Sequence, residues 1–331
     1  MTHVDLFYLS PNPYGGWVTY TNHLIEALNA VGVKCTLFKI RPKSERKSRE
    51  FGYGKHYRNI SMAEAKNRKT IVNNEYKETI KLVVAGAKQF KEETQMLYDI
   101  GASIVVHDPT ELKNLPVDLD PKRCVVIRQI GARTFKGATF IRHPYTPFPK
   151  HTNLDRKGAV STSRIDFDKH TEILLDTNRL LAEDKKINIR GFENRIFTRF
   201  KIVPKYPEWV QSKAHYPREN DFAFKLMQDY VFNVDMTQIV GDGGGTQYTA
   251  LESWNAGCIP IIHNKWILDE PDDMKPDYNC FAVGSPEELA TLLNGAYSDS
   301  IPSIRENGYN ALKLHDPIII GNQYRQFLNI E

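Results

Sequence analysis

The stretch from Val240 to His263, VGDGGGTQYTALESWNAGCIPIIH, restricts the fold of this chain more than any other. A glycine run follows an apolar segment and enters helical sequence containing Glu252; Gly257 then stops that helix before a second apolar run, Cys258 to Ile262. Loop, helix, turn and strand follow one another. Consecutive glycines let backbone N–H groups approach a ligand closely, and the helix start behind them carries a positive partial charge. The arrangement suits a phosphate or diphosphate, so a nucleotide-containing ligand is expected.

The N-terminus has the same grammar. Val4 to Leu9 reads as a strand and Ser10 to Gly16 as its loop, ending in Gly15 and Gly16. Thr19 to Ala30 has helical spacing with Gly32 just past its end, and Val33 to Ile40 is a second strand. Such a βαβ unit points its first loop at the carboxyl edge of a parallel sheet, where these folds bind ligands. A tight turn without a ligand is the other reading of a lone Gly-Gly. With 331 residues, two domains are expected, with a ligand site in the cleft between them.

The four cysteines, Cys35, Cys124, Cys258 and Cys280, are widely spread and form no C-x-x-C pair. They read as small buried residues rather than a zinc site or disulfide framework. A basic n-region, a long apolar h-region and an 18-residue apolar run are all missing, so a cytoplasmic protein without a membrane partner is expected. The net charge of +4 is unevenly spread: Arg41 to Lys69 holds ten Lys/Arg against three acids. This segment carries Arg46, Lys47, Arg49, Tyr53, Lys55 and Tyr57. It reads either as a solvated loop or as a nucleic-acid contact, in which cations neutralise phosphates and rings stack on bases.

Ile71 to Ile100 is expected to be largely helical. Ile104 to Val106 is a buried strand ending at His107, and Cys124 to Ile127 a strand ending at Arg128, with Arg133 following. Pro144, Pro147 and Pro149 mark a domain boundary, giving domains 1–150 and 151–316, with 317–331 returning to the first. Beyond that boundary, Gly158 to Ser163 is a strand whose loop carries Arg164 and Lys169 ahead of a helix, Thr171 to Leu181. Two fixed cations there suit a departing diphosphate. Ile187 to Ile189 is the next strand, followed by Gly191, Glu193 and Asn194.

Taken in order, these motifs resemble a retaining GT-B glycosyltransferase, an α/β architecture of two facing Rossmann-like domains with a parallel sheet each. The resemblance rests on Gly15 and Gly16, on His107, on the R-x4-K pair Arg164 and Lys169, and on Glu252 with Gly257, Ile259 and Pro260. Within that group, Tyr248 to Gly257 looks most like the phage DNA α-glucosyltransferases that act on hydroxymethylated cytosine. The resemblance implies a nucleotide-sugar donor, a UDP-sugar, with no cofactor or metal required. Arg164 and Lys169 would hold its diphosphate, Glu252 its ribose, and Gly243, Gly244, Gly245 and Thr246 its sugar and phosphates. Gly15, Gly16, Gly191 and Glu193 would complete the donor site, and His107 would sit by the transferred sugar. Related enzymes have a glutamate where this chain has Gly244, and Asp242 is the candidate substitute.

The acceptor implied is a hydroxymethyl-pyrimidine in duplex DNA, met by the basic segment together with Arg128 and Arg133, by a monomer or weak dimer. A glycan or small-molecule acceptor, a nucleotide-sugar epimerase and a non-catalytic nucleic-acid-binding protein are the alternatives.

Overall fold

The computed structural model describes residues 3–330 apart from 12–14, 73–74, 116–117, 150–154, 210–220, 239–245, 268–272 and 297. The chain forms two compact units, Met1–Thr146 with Leu314–Glu331, and Pro147–Lys313.

The first unit runs β1 (His3–Leu9), α1 (Gly16–Ala30), β2 (Lys34–Ile40), β3 (Arg49–Gly52), β4 (Lys55–Ile60), α2 (Met62–Lys66), β5 (Lys69–Val72) and β6 (Glu75–Glu78). It continues through β7 (Ile80–Gly86), α3 (Lys91–Asp99), β8 (Ser103–Val106), β9 (Cys124–Val126), α4 (Gln129–Thr134) and β10 (Thr139–Phe140). Its main sheet has the order β10-β9-β8-β7-β1-β2-β4-β3 and is parallel except for the β3–β4 hairpin. The central strands are apolar on both faces, as a parallel sheet covered by helices requires. Phe7, Leu9, Val83, Ile104 and Val106 form its core with Phe38 and Cys124.

Two segments differ from the expectation. The first half of Ile71 to Ile100 is strand, a β5–β6 hairpin and then β7, and helix is confined to the second half, with α-helix at Lys91–Asp99. The β-branched run around Val83 and Val84 pairs with β1, and that burial between neighbours overrides a helical reading of the spacing. The basic segment is not a loop either. Its β3 and β4 extend the main sheet, because Phe51 and Ile60 are apolar enough to be buried beneath the hairpin.

The second unit comprises β11 (Ala159–Ser161), α5 (Thr171–Leu180), β12 (Asn188–Ile189), α6 (Arg195–Phe197), α7 (Phe222–Met227), β13 (Phe232–Asp235), α8 (Tyr248–Ala256) and β14 (Ile259–His263). After these come α9 (Asn264–Ile267), β15 (Phe281–Val283), α10 (Pro286–Thr291) and α11 (Ile301–Leu312). The sheet order is β12-β11-β13-β14-β15, parallel throughout. Gly257, at φ 74°, closes α8 in the left-handed conformation expected of a glycine stop. Trp254 anchors that helix, fully buried, with its indole N–H donating to the Asn279 carbonyl at 2.9 Å.

The last helix, α12 (Pro317–Phe327), belongs to the first unit and lies along α1. Asp316 caps it, accepting from the backbone N–H groups of Ile318 and Ile319, and the buried Tyr20 and Tyr324 hydroxyls bond to each other. All four cysteines are free thiols.

Candidate functional site

In a parallel sheet the carboxyl ends of all strands share one edge, and the chemistry-bearing residues of this chain collect there. In the second unit the centre is Lys169, in the turn between β11 and α5. Its ammonium donates to Thr237 Oγ1 at 2.6 Å and to Gln247 Oε1 at 3.4 Å, and lies 3.9 Å from Asp235 Oδ1. Only 12% of the Lys169 side chain is exposed. Asp235 ends β13 and is buried. It accepts from the Thr237 N–H at 3.1 Å, from the Thr237 hydroxyl, and from the Thr249 hydroxyl at 2.9 Å. Burial pushes the Asp235 carboxyl up, but the Lys169 charge and the donated hydroxyls outweigh it, leaving the group below its ordinary range. It is therefore an anion. Asp235, Thr237, Gln247 and Thr249 were not singled out in the sequence; the signal present was an aspartate at the end of an apolar parallel strand, the same rule that selects His107.

Arg164 stands in the same turn, more exposed, with Nη1 3.2 Å from Asp166 Oδ2 and Nη2 3.2 Å from Asp168 Oδ2. Beside it runs the segment after β12. Ile165 and Glu193 form a parallel bridge, and Asn194 Nδ2 donates to Asp166 Oδ1 at 2.8 Å. Gly191 makes this approach possible: a Cβ there would lie 2.0 Å from the Ser163 carbonyl oxygen. Arg164, Gly191 and Glu193 are thus brought together. Thr246 is buried and donates to Asp273 Oδ2 at 3.2 Å, an internal contact. Asp242, Gly243, Gly244 and Gly245 lie outside the described residues.

Glu252, in the middle of α8, is half-buried, and among the described residues its carboxyl has no hydrogen-bond or ion-pair partner. Burial raises its pKa to about 8. A carboxyl in this state gains from any ligand that donates hydrogen bonds to its charged form.

The first unit gathers a second set. Gly15, at φ 97°, precedes α1, and Gly16 is the first helical residue. His107 follows β8 and is buried, its ring 4.7 Å edge-on from Tyr20 and 5.7 Å from Trp17, both in the first turns of α1. Its Nε2 lies 2.7 Å from the Val84 carbonyl, which can only accept, so the Nε2–H tautomer is assigned. Burial lowers its pKa to about 4. A neutral imidazole with one nitrogen committed is a fixed acceptor, not a strong base.

The acceptor candidates divide. Tyr53 turns the β3–β4 hairpin onto α1, its hydroxyl 3.1 Å from Thr19 Oγ1, and Lys55 pairs with Glu26. Tyr57 packs against Phe51 with the Lys39 ammonium 4.7 Å above its ring, so it is a supporting residue rather than an open stacking platform. Arg49 is bidentate to Glu45. Arg46 and Lys47 are exposed, Arg128 precedes α4 half-buried, and Arg133 is exposed in that helix's last turn. Among the described residues, no group of three or more His, Cys, Asp or Glu side chains is arranged to hold a metal, and no helix is long and apolar enough to cross a membrane.

No family model and no curated protein matches the chain. Solved structures match it over its full length. Anabaena HepE in complex with UDP and glucose is 12% identical, covers 100% of both chains and has a TM-score of 0.67. An α-glucosyltransferase in complex with UDP and a 13-mer DNA containing an HMU base is 13% identical, covering 99% of this chain and 100% of its own, with a TM-score of 0.67. AviGT4, a glycosyltransferase involved in avilamycin A biosynthesis, is 13% identical over 99% of this chain and 97% of its own, with a TM-score of 0.62. The fold is GT-B.

Proposed function

We propose that this chain is a retaining glycosyltransferase that takes a UDP-sugar and transfers the sugar to the hydroxyl of a hydroxymethyl-pyrimidine in duplex DNA. The observation that carries the donor half is Lys169, a nearly buried ammonium fixed at the carboxyl edge of the second sheet beside the start of α8. A fixed cation there meets the charge that builds on a departing diphosphate without having to reorganise. Arg164 is the second cation, and Glu252 takes the ribose hydroxyls. HepE and the α-glucosyltransferase were both solved with UDP on this fold, which supports UDP as the nucleotide.

In the reaction, the bond from the anomeric carbon to the β-phosphate oxygen breaks and the acceptor oxygen bonds on the same face. The acceptor proton passes to the departing phosphate oxygen, so no enzymic base is required. His107, neutral and locked by Val84, fits a role in holding the sugar rather than removing a proton. Gly15 and Gly16 leave the backbone at the start of α1 free of side chains, which suits close approach by a ligand, and Asp242 is the candidate for the glutamate that Gly244 replaces.

The DNA acceptor is supported by the exposed cations Arg46 and Lys47 ahead of β3, and by the α-glucosyltransferase solved with HMU-containing DNA. A glycan or small-molecule acceptor is the second reading, favoured by the comparable likeness to AviGT4, a glycosyltransferase involved in avilamycin A biosynthesis. Calorimetric titration of UDP tests the donor half. Binding that weakens at least ~10-fold in Lys169→Ala, on the order of 1.4 kcal/mol, is expected; equal binding by wild type and variant contradicts the assignment.

A further inference from the structure

We infer that Asp235 is a positioning residue, holding the Lys169 ammonium aimed for the departing diphosphate through the hydroxyl of Thr237. This rests on the assignment of Lys169 to the donor diphosphate and extends it to the buried carboxylate beside that ammonium.

The direction of the hydrogen bonds sets the orientation of the Thr237 hydroxyl. Asp235 is an anion and can only accept, so the Thr237 hydroxyl gives its proton to Asp235 Oδ1. The lone pairs of that hydroxyl are then turned to Lys169, whose ammonium donates to it at 2.6 Å. Gln247 offers its amide oxygen to a second ammonium proton at 3.4 Å. Among the described residues two of the three protons are thereby committed, and the third remains for a ligand oxygen.

The other carboxylate oxygen ties the same network to α8. Asp235 Oδ2 accepts from Thr249 at 2.9 Å, in the first turn of the helix that carries Glu252. One buried carboxylate therefore joins the end of β13, the turn at Thr237 and the helix start, and sets the place of the ammonium relative to all three. It also compensates for burying that ammonium, since a charge with so little exposure is costly unless an opposite charge stands near it. Asparagine at 235 would keep the shape and remove both effects. Its amide N–H can donate to the Thr237 hydroxyl, which then turns its own proton toward Lys169.

The test is a double-mutant cycle read by UDP-sugar turnover and UDP affinity on wild type, Asp235→Asn, Lys169→Ala, the double variant and Thr237→Val, with thermal melting to establish folding. Asp235→Asn is expected to lower kcat at least ~10-fold while KM changes less than ~3-fold, because the loss falls on an interaction that strengthens in the transition state. Thr237→Val should act in the same direction, and carries the test if Asp235→Asn does not fold. The double variant should be no worse than Lys169→Ala alone, since residues that act as one unit are not additive. A folded Asp235→Asn or Thr237→Val protein with wild-type kcat, or an additive double variant, overturns the inference. Wild-type turnover in Lys169→Ala overturns the diphosphate assignment instead, and the inference with it.

Discussion

Arg164 Nη2 lies 3.2 Å from Asp168 Oδ2, so a cation proposed to meet the diphosphate is engaged by a carboxylate of its own turn. More than half of the Arg164 side chain is exposed, and such pairs contribute ~0–1 kcal/mol. Asp168→Ala should therefore leave the melting temperature almost unchanged. It should tighten UDP binding by about 2- to 5-fold in calorimetry, because the carboxylate no longer competes with phosphate for the guanidinium. Weaker binding would mean that Asp168 aids the nucleotide rather than opposing it.

Glu252 gives two opposed pH effects. Its folded pKa, about 8, is above the ordinary 4.5, so the folded state holds its proton more tightly than the unfolded state. The stability this contributes is complete below about 4.5 and is lost as pH rises through about 8. Glu252→Gln should consequently raise the melting temperature at pH 8.5 relative to wild type, and raise it less or not at all at pH 4.5. UDP binding runs the other way: ribose hydroxyls donate to the charged carboxylate, so affinity should rise with pH toward 8 with release of a proton, and Glu252→Gln should bind weakly without proton release. Calorimetry in buffers of different ionisation enthalpy measures this.

His107 should remain neutral across the working pH range. Its pKa falls from 6.5 to about 4, so its contribution to stability is present above 6.5 and is lost as pH falls through about 4. Nitrogen NMR of the imidazole should show the Nε2–H tautomer from pH 5.5 to 8, and the pH–rate profile should have no limb near 6.5 from this residue. Titration near 6.5 would return His107 to consideration as an acid–base group.

Much of the architecture is legible in the sequence because its signals are local. The apolar runs of β1, β8 and β14 and the glycine at 257 need nothing beyond their own neighbours to declare strand and helix stop. The stretch from Ile71 to Ile100 misleads because its fate depends on β1, a partner distant in sequence. The Lys169 network is illegible for the same reason: the bond from Lys169 to Thr237 spans 68 residues, and an aspartate at a strand end does not announce which lysine it faces. Arg164 and Lys169 could be selected by spacing and resemblance, whereas the carboxylates and hydroxyls around them required the fold.

The DNA reading predicts a particular salt dependence. Arg46 and Lys47 are exposed and, among the described residues, engaged by no acid. If they neutralise phosphates, log affinity for duplex DNA should fall linearly with log salt, and alanine at either position should reduce the slope by about 0.9. Fluorescence anisotropy over a salt series checks this. A slope unchanged in both variants would place the DNA elsewhere or remove it as a partner.

The proposed reaction is sugar transfer from UDP-sugar to hydroxymethylated DNA with retained configuration. Incubating the protein with a panel of UDP-sugars and a duplex containing hydroxymethyl-pyrimidine, followed by mass spectrometry and NMR of the released nucleosides, tests it most directly. One sugar added per modified base, α-linked from an α-linked donor, is the expected product. Unmodified nucleosides across the whole panel, or a β-linked product, would contradict it.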